Sequence, residues 1–72
     1  PDAVREAAIQ RFLELRGRDV RKKPGTAELL VWLTVLAARG GVTVENLTNC
    51  RLNELPARST LVKDRDDVAL LR

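Results

Sequence analysis

Hydrophobic residues recur at helical spacing near the start of the chain. Along residues 2–16, apolar side chains return every three or four positions, which places them on one face of an α-helix. The stripe consists of Val4, Ala8, Phe12 and Leu15, and it is widened by Ile9 and Leu13. The pattern predicts a first helix over residues 2–16 that ends at Gly17, with Phe12 as an anchor in the core.

The second segment is apolar on nearly every side. Ten of the twelve residues at 27–38 are apolar, and a helix of that kind is a central, buried one. A buried strand is an alternative for residues 31–35, but the length, the Ala content and the lack of internal breakers favour a helix. A Pro-Gly pair before it and a Gly-Gly pair after it predict a helix over 26–39, with Trp32 as its core anchor.

Polar capping residues divide the rest of the chain into shorter elements. Thr43 is a good N-cap and predicts a helix over 44–54. Pro56 opens a short helical turn that runs through residues 61 and 62. Asp64 then caps a last helix that reaches Leu71.

Three aspartates begin this last helix. Asp66 and Asp67 fall in its first turn, where carboxylates suit the helix dipole, and Asp67 holds the N3 position of a capping box. A metal cluster is the alternative reading of Asp64, Asp66 and Asp67. A helix N-terminus accounts for all three, however, and the spacing of an EF-hand is absent, so no metal site is predicted.

These segments predict an all-α fold, a small bundle of three to four helices packed around the second helix. Leu, Ile, Val and Phe number 22 of 72 residues, enough for one small core in a single domain over 1–72. The chain has no His and a single Cys, which excludes histidine-based catalysis, imidazole metal sites and an internal disulfide. The longest apolar run has five residues, too short for a membrane span.

The net charge of +3 is concentrated in one short stretch. Residues 16–23 carry five basic and one acidic side chain, and the remainder of the chain has a net charge of −1. The stretch ends just before the predicted second helix. A solvated connector is the ordinary explanation of such a run, and an anion site is the more specific one.

The anion site follows from the position of the basic residues. Arg21, Lys22 and Lys23 directly precede a helix N-terminus, which presents N–H groups and a partial positive charge suited to phosphate. Arg21 is the first choice for a phosphate contact because guanidinium is a planar fork that stays protonated. Pro24 offers no N–H, and Glu28 competes with an anion for the same helix end.

Two blocks of sequence resemble a known family. The first block, at 21–40, reads RKKPGTAELLVWLTVLAARG, with a basic pair, a Pro, a small cap and Glu-Leu-Leu ahead of a Trp-containing helix. The second block, at 55–71, reads LPARSTLVKDRDDVALL and contains a Lys-x-x-x-Asp pattern. In this order they resemble the C-terminal lid of MoxR-type AAA+ ATPases, and FLELR at 12–16 also fits. Gly25 departs from the family, where Ser is common, and Val31 stands where an acidic residue is expected.

The resemblance implies a function that belongs to a longer protein. It implies a non-catalytic helical lid beside an α/β nucleotide-binding core, with an Arg that senses nucleotide phosphates, for which Arg21 is the candidate. It also implies a cytoplasmic, chaperone-like ATPase that binds ATP and Mg²⁺ and contacts neighbouring ring subunits, while this chain itself holds no cofactor. Leu30 and Val31 form an apolar patch that would face the core.

Two further observations bear on this interpretation. The chain has no Met and begins at Pro1, so we expect a fragment of a longer ATPase chain. A small helical nucleic-acid-binding module that uses residues 16–23 is the alternative function, and a purely structural interaction domain is a third. The modest net charge and the acidic C-terminal segment disfavour nucleic acid as a partner.

Overall fold

Four α-helices and two short 3-10 turns make up the fold of a computed structural model that describes residues 2–71. The helices are α1 (Asp2–Arg16), α2 (Thr26–Arg39), α3 (Val44–Thr48) and α4 (Arg65–Ala69), and the 3-10 turns are Leu52–Glu54 and Arg58–Thr60. The described residues contain no β-strand, so the all-α class is confirmed. Pro1 and Arg72, the ends of the predicted domain, lie outside the described residues.

The bounds of α1 and α2 are those that the sequence predicts. The α2 helix begins after Gly25, whose backbone N–H donates to Oε2 of Glu28 at 2.7 Å. It ends at Arg39, and the following Gly40 has a φ of 69° and donates its N–H to the Leu36 carbonyl at 3.4 Å. A carboxylate near the start and a positive-φ glycine at the end therefore delimit this helix locally.

The third helix is shorter than the predicted span of 44–54. It starts as expected, because Oγ1 of Thr43 accepts the Asn46 N–H at 3.1 Å and the Asn46 side chain accepts the Thr43 N–H at 3.0 Å. In a continuous helix Leu52 would lie about 140° around the axis from Leu47, away from the core. The chain instead leaves the helix after Thr48, and both leucines are buried.

The prediction that α2 is a central, buried helix holds for one side of it only. Trp32 and Leu36 lie in the core, but Leu30 is 59% exposed and Val31 is 54% exposed. The α2 helix packs against α1 and the second 3-10 turn, whereas α1 packs mainly on α3. Neither of these two elements covers the side of α2 that carries Leu30 and Val31. Leu13, predicted to widen the α1 stripe, is also exposed.

The two aromatic side chains lie in the core, where the apolar stripes place them. Phe12 is almost fully buried and Trp32 is fully buried. The indole Nε1 of Trp32 donates to the carbonyl of Pro56 at 2.8 Å, so the one polar atom of this buried ring has a partner. This hydrogen bond ties α2 to the segment between the two 3-10 turns.

The last helix starts at its predicted cap. The side chain of Asp64 accepts the Asp66 N–H at 2.8 Å, and α4 continues to Ala69. Leu71 follows in a turn and is buried. Within residues 2–71, no helix has the length and apolar character that crossing a bilayer requires.

Candidate functional site

The basic loop, residues 17–25 between α1 and α2, is folded against itself by hydrogen bonds. Nη1 of Arg16 donates to the Pro24 carbonyl at 3.1 Å across the base of the loop. Nζ of Lys23 donates to the carbonyls of Arg18 and Val20 at 3.0 and 3.3 Å. Val20 and Pro24 are buried and hold the loop to the core. The basic side chains therefore stand on a segment that is held by hydrogen bonds and by buried residues, and most of them are exposed.

A buried carboxylate from the far end of the chain fixes the centre of this loop. Asp67 is fully buried, and its two oxygens accept the backbone N–H groups of Arg21 and Lys22 at 2.7 and 3.0 Å. We call this pair of hydrogen bonds the Asp67 clamp. The Arg21 N–H does most to lower the pKa of Asp67; burial acts in the opposite direction, and the Lys22 N–H and the charges of both basic residues add to the lowering.

The clamp corrects the sequence-based assignment for Asp67. Its place in the first turn of α4 was expected, but its side chain does not close a capping box on that helix. It points to a loop 45 and 46 positions earlier in the chain instead. A sequence pattern indicates contacts between residues that are close along the chain, so it could not predict the contact of Asp67 with the basic loop. The only signal for Asp67 was its place in the Lys-x-x-x-Asp pattern.

The three predicted phosphate contacts are not equivalent in the structure. The side chains of Arg21 and Lys22 are exposed, and only their backbone groups take part in the clamp. The ammonium group of Lys23 already donates to two carbonyls, so an anion would have to compete for it. The arrangement therefore leaves Arg21 and Lys22 as the groups best placed to meet an anion.

One basic residue near these side chains was not predicted as a site residue. Lys63 joins Lys22 and Lys23 around an open cavity of about 350 Å³ at the start of α2, whose lining also includes Glu28 and Asp64. Arg21 does not line this cavity. The sequence signal for Lys63 was again the Lys-x-x-x-Asp pattern. This pattern includes Lys63 but does not predict where it lies in the fold.

The start of α2 is occupied by a carboxylate of the same helix. Hydrogen bonds from the backbone N–H groups of Glu28 and Gly25 lower the pKa of the Glu28 carboxyl, the former more strongly, with a smaller contribution from the charge of Lys63 and an opposing one from burial. An anion at this end of the molecule would thus be held mainly by the basic side chains, since Glu28 uses helix N–H groups itself.

A second exposed surface lies on α2. We call it the α2 outer face, and it comprises Ala27, Leu30, Val31, Thr34 and Ala38. The hydroxyl of Thr34 donates to the Leu30 carbonyl at 2.8 Å, so its hydrogen-bonding capacity is partly used within the helix. The two residues predicted as a possible interface, Leu30 and Val31, are therefore accessible at the middle of an uncharged face.

The described residues show no clustered metal ligands. Across residues 2–71, no three His, Cys, Asp or Glu side chains come together in a way that could hold a metal ion. Asp64 caps α4 and Asp67 clamps the basic loop, so two of the three aspartates have structural partners.

Comparisons with protein-family models, with curated proteins and with solved structures found no significant match to this chain. The resemblance to an ATPase lid therefore stays a prediction, and its support has to come from the geometry described above.

Proposed function

We propose that this chain is the non-catalytic C-terminal helical lid of a MoxR-type AAA+ ATPase, which closes over ATP and couples its hydrolysis to chaperone-like remodelling of other proteins. One observation carries the proposal. The two sequence blocks that resemble the lid are joined in space, by the Asp67 clamp on the basic loop and by the hydrogen bond from Trp32 to Pro56. The residues that carry the resemblance thus form one connected unit.

In this proposal Arg21 senses the nucleotide phosphates. Its guanidinium is exposed, stays charged and matches the geometry of phosphate oxygens with two parallel donors. Lys22 adds a second positive charge from the adjacent residue, and Lys63 supplies a third at the edge of the neighbouring cavity. Lys23 supports the loop through its contacts with Arg18 and Val20 rather than binding phosphate.

The proposed partners are the α/β nucleotide-binding core of the same ATPase and neighbouring subunits of its ring. The α2 outer face supports this part of the proposal, because Leu30 and Val31 expose more than half of their surface without a partner in residues 2–71. ATP and Mg²⁺ would be bound by the core, which would also carry out hydrolysis in the cytoplasm. The lid would contribute charge and movement, not a catalytic group.

The test uses the complete ATPase that carries this chain. In Arg21→Ala we expect ATP turnover to fall by roughly ten- to one-hundredfold, since a charge-assisted hydrogen bond contributes about 1.5–3 kcal/mol. Arg51→Ala is the matched control, because Arg51 is an exposed arginine outside the basic loop and should leave turnover within twofold. Unchanged turnover in Arg21→Ala would contradict the sensor role.

Two other outcomes would overturn the proposal as a whole. The protein that carries this chain must contain a phosphate loop and a Walker B motif upstream, and their absence would exclude a lid. Duplex DNA binding that weakens by orders of magnitude between about 50 and 200 mM salt would instead favour the nucleic-acid module built on residues 16–23.

A further inference from the structure

Asp67 is an unusual residue for a small helical domain. Of the polar and charged side chains among residues 2–71, it alone is buried. None of the ion pairs found in that part of the chain includes it, since they join Arg5 to Asp2, Arg11 to Glu14 and Arg51 to Glu54. Burying a carboxylate is costly unless its oxygens are hydrogen-bonded. Asp67 meets this requirement with backbone N–H groups, so the clamp does not involve the side chains of Arg21 and Lys22.

The two N–H groups that Asp67 accepts belong to consecutive residues. A carboxylate that holds both at 2.7 and 3.0 Å fixes the orientation of two adjoining peptide units. The Cα–Cβ direction of Arg21 is then set by the clamp, because its Cα lies between these two units. For Lys22 the clamp fixes the peptide unit that precedes its Cα. The residues held in this way are the same two whose exposed side chains are best placed to meet an anion.

We infer that Asp67 is a positioning residue, which holds Arg21 and Lys22 in the arrangement that binds the phosphate groups of a nucleotide and couples that binding to the docking of α4. The inference rests on the proposed function, because it assigns the control of the same site. It concerns how the site is formed and not which groups touch the ligand.

The coupling follows from the size of α4. A helix of five residues is too short to persist alone, so its position depends on tertiary contacts such as the clamp and buried Leu71. If docked α4 favours phosphate binding, bound phosphate must favour docked α4 by the same factor. Movement of α4 would therefore change the affinity of a site to which α4 contributes no ligand.

The test is a titration of the 72-residue chain with sodium tripolyphosphate, followed by ¹H–¹⁵N NMR. Asp67→Asn keeps the size of the side chain but replaces one acceptor with a donor, which opposes an N–H group. We expect it to weaken tripolyphosphate binding at least fivefold. Asp66→Asn is the matched control, since it removes the same charge from an exposed neighbour.

The direction of the effect separates positioning from general electrostatics. Removal of a negative charge should strengthen binding of an anion, and Asp66→Asn should show that increase or no change. In an Asp67→Asn chain that is folded, with the amide resonances of α1, α2 and α3 in their native positions, only loss of the clamp predicts weaker binding. Binding by Asp67→Asn that equals or exceeds that of Asp66→Asn would overturn the inference.

A measurement on the unmodified chain covers the case in which Asp67→Asn does not fold. Saturating tripolyphosphate should slow hydrogen exchange at the amides of Arg21, Lys22 and α4 at least threefold, while the amides of α3 stay unchanged. Unchanged exchange in α4 would overturn the coupling. If the unmodified chain binds no tripolyphosphate, the proposed function fails together with the inference; if it binds and Asp67→Asn binds equally well, the inference alone fails.

Discussion

Replacement of Trp32 by Phe should destabilise the domain strongly, because the indole ring links α2 to the segment between the two 3-10 turns. Its side chain is fully buried, and its Nε1 donates to the Pro56 carbonyl at 2.8 Å. Phe keeps one aromatic ring in the core but has no donor. The change therefore removes the hydrogen bond and leaves the Pro56 carbonyl without this partner.

The size of the effect can be worked out from these two losses. Loss of this part-buried hydrogen bond costs about 1–3 kcal/mol. The smaller ring leaves a space of roughly 40 Å³, which costs about 1 kcal/mol at about 24 cal/mol per Å³. We therefore expect the free energy of unfolding to fall by about 2–4 kcal/mol. A domain of this length has a total of roughly 4–11 kcal/mol, so the loss is a large fraction.

The assay is urea denaturation followed by circular dichroism at 222 nm, which does not need the indole. With a slope of about 1 kcal/mol per M, the midpoint should fall by roughly 2–4 M. Leu30→Ala is the control, because Leu30 is 59% exposed and its truncation should change the free energy of unfolding by less than about 0.5 kcal/mol. A loss below about 0.5 kcal/mol in Trp32→Phe would refute the reasoning.

Three further changes test the local features of the fold. Thr43→Ala removes the N-cap acceptor of α3 and should lower the free energy of unfolding by about 1 kcal/mol in urea denaturation; no change would show that the cap is dispensable. Gly40→Ala should lower the free energy of unfolding by about 1–3 kcal/mol, because φ is 69° at this position. An added Cβ meets no atom within 4 Å, so the loss comes from backbone strain alone. A loss as small as that of Gly17→Ala would contradict this. Because the pKa values of Glu28 and Asp67 are lowered, the stability that these carboxylates contribute should be fully present above about pH 4–5 and lost as the pH falls below that range. The thermal stability of Asp67→Asn should therefore depend less on pH in this acid range. An unchanged pH dependence in Asp67→Asn would show that Asp67 does not contribute to it.

Features that depend on nearby residues could be predicted from the sequence. The bounds of α2 followed from Gly25 and Gly40, and the start of α3 followed from Thr43, because caps and positive-φ glycines act within one turn of a helix. Asp64 was placed correctly for the same reason. These signals lie beside the structures that they produce.

Features that depend on distant residues could not be predicted in the same way. The length of α3 agrees with the burial of both Leu47 and Leu52, and the exposure of Val31 depends on which side of α2 packs against α1 and the second 3-10 turn. The Asp67 clamp joins residues more than forty positions apart. The basic residues themselves were visible in the sequence. Their different roles were not, because only the folded loop lets the Lys23 side chain support it while the Arg21 side chain is exposed.

The central claim is that Arg21 and Lys22 contact nucleotide phosphates, and an NMR titration of this chain with ATP and Mg²⁺ tests it most directly. We predict weak binding, with a dissociation constant on the order of 1 mM, corresponding to about 4 kcal/mol, because the chain would supply only part of the site. Shifts of amide resonances should be largest in residues 18–28, with smaller shifts at Lys63 and in α4, which the Asp67 clamp joins to the basic loop. Submicromolar binding, or shifts centred on another part of the molecule, would contradict the account.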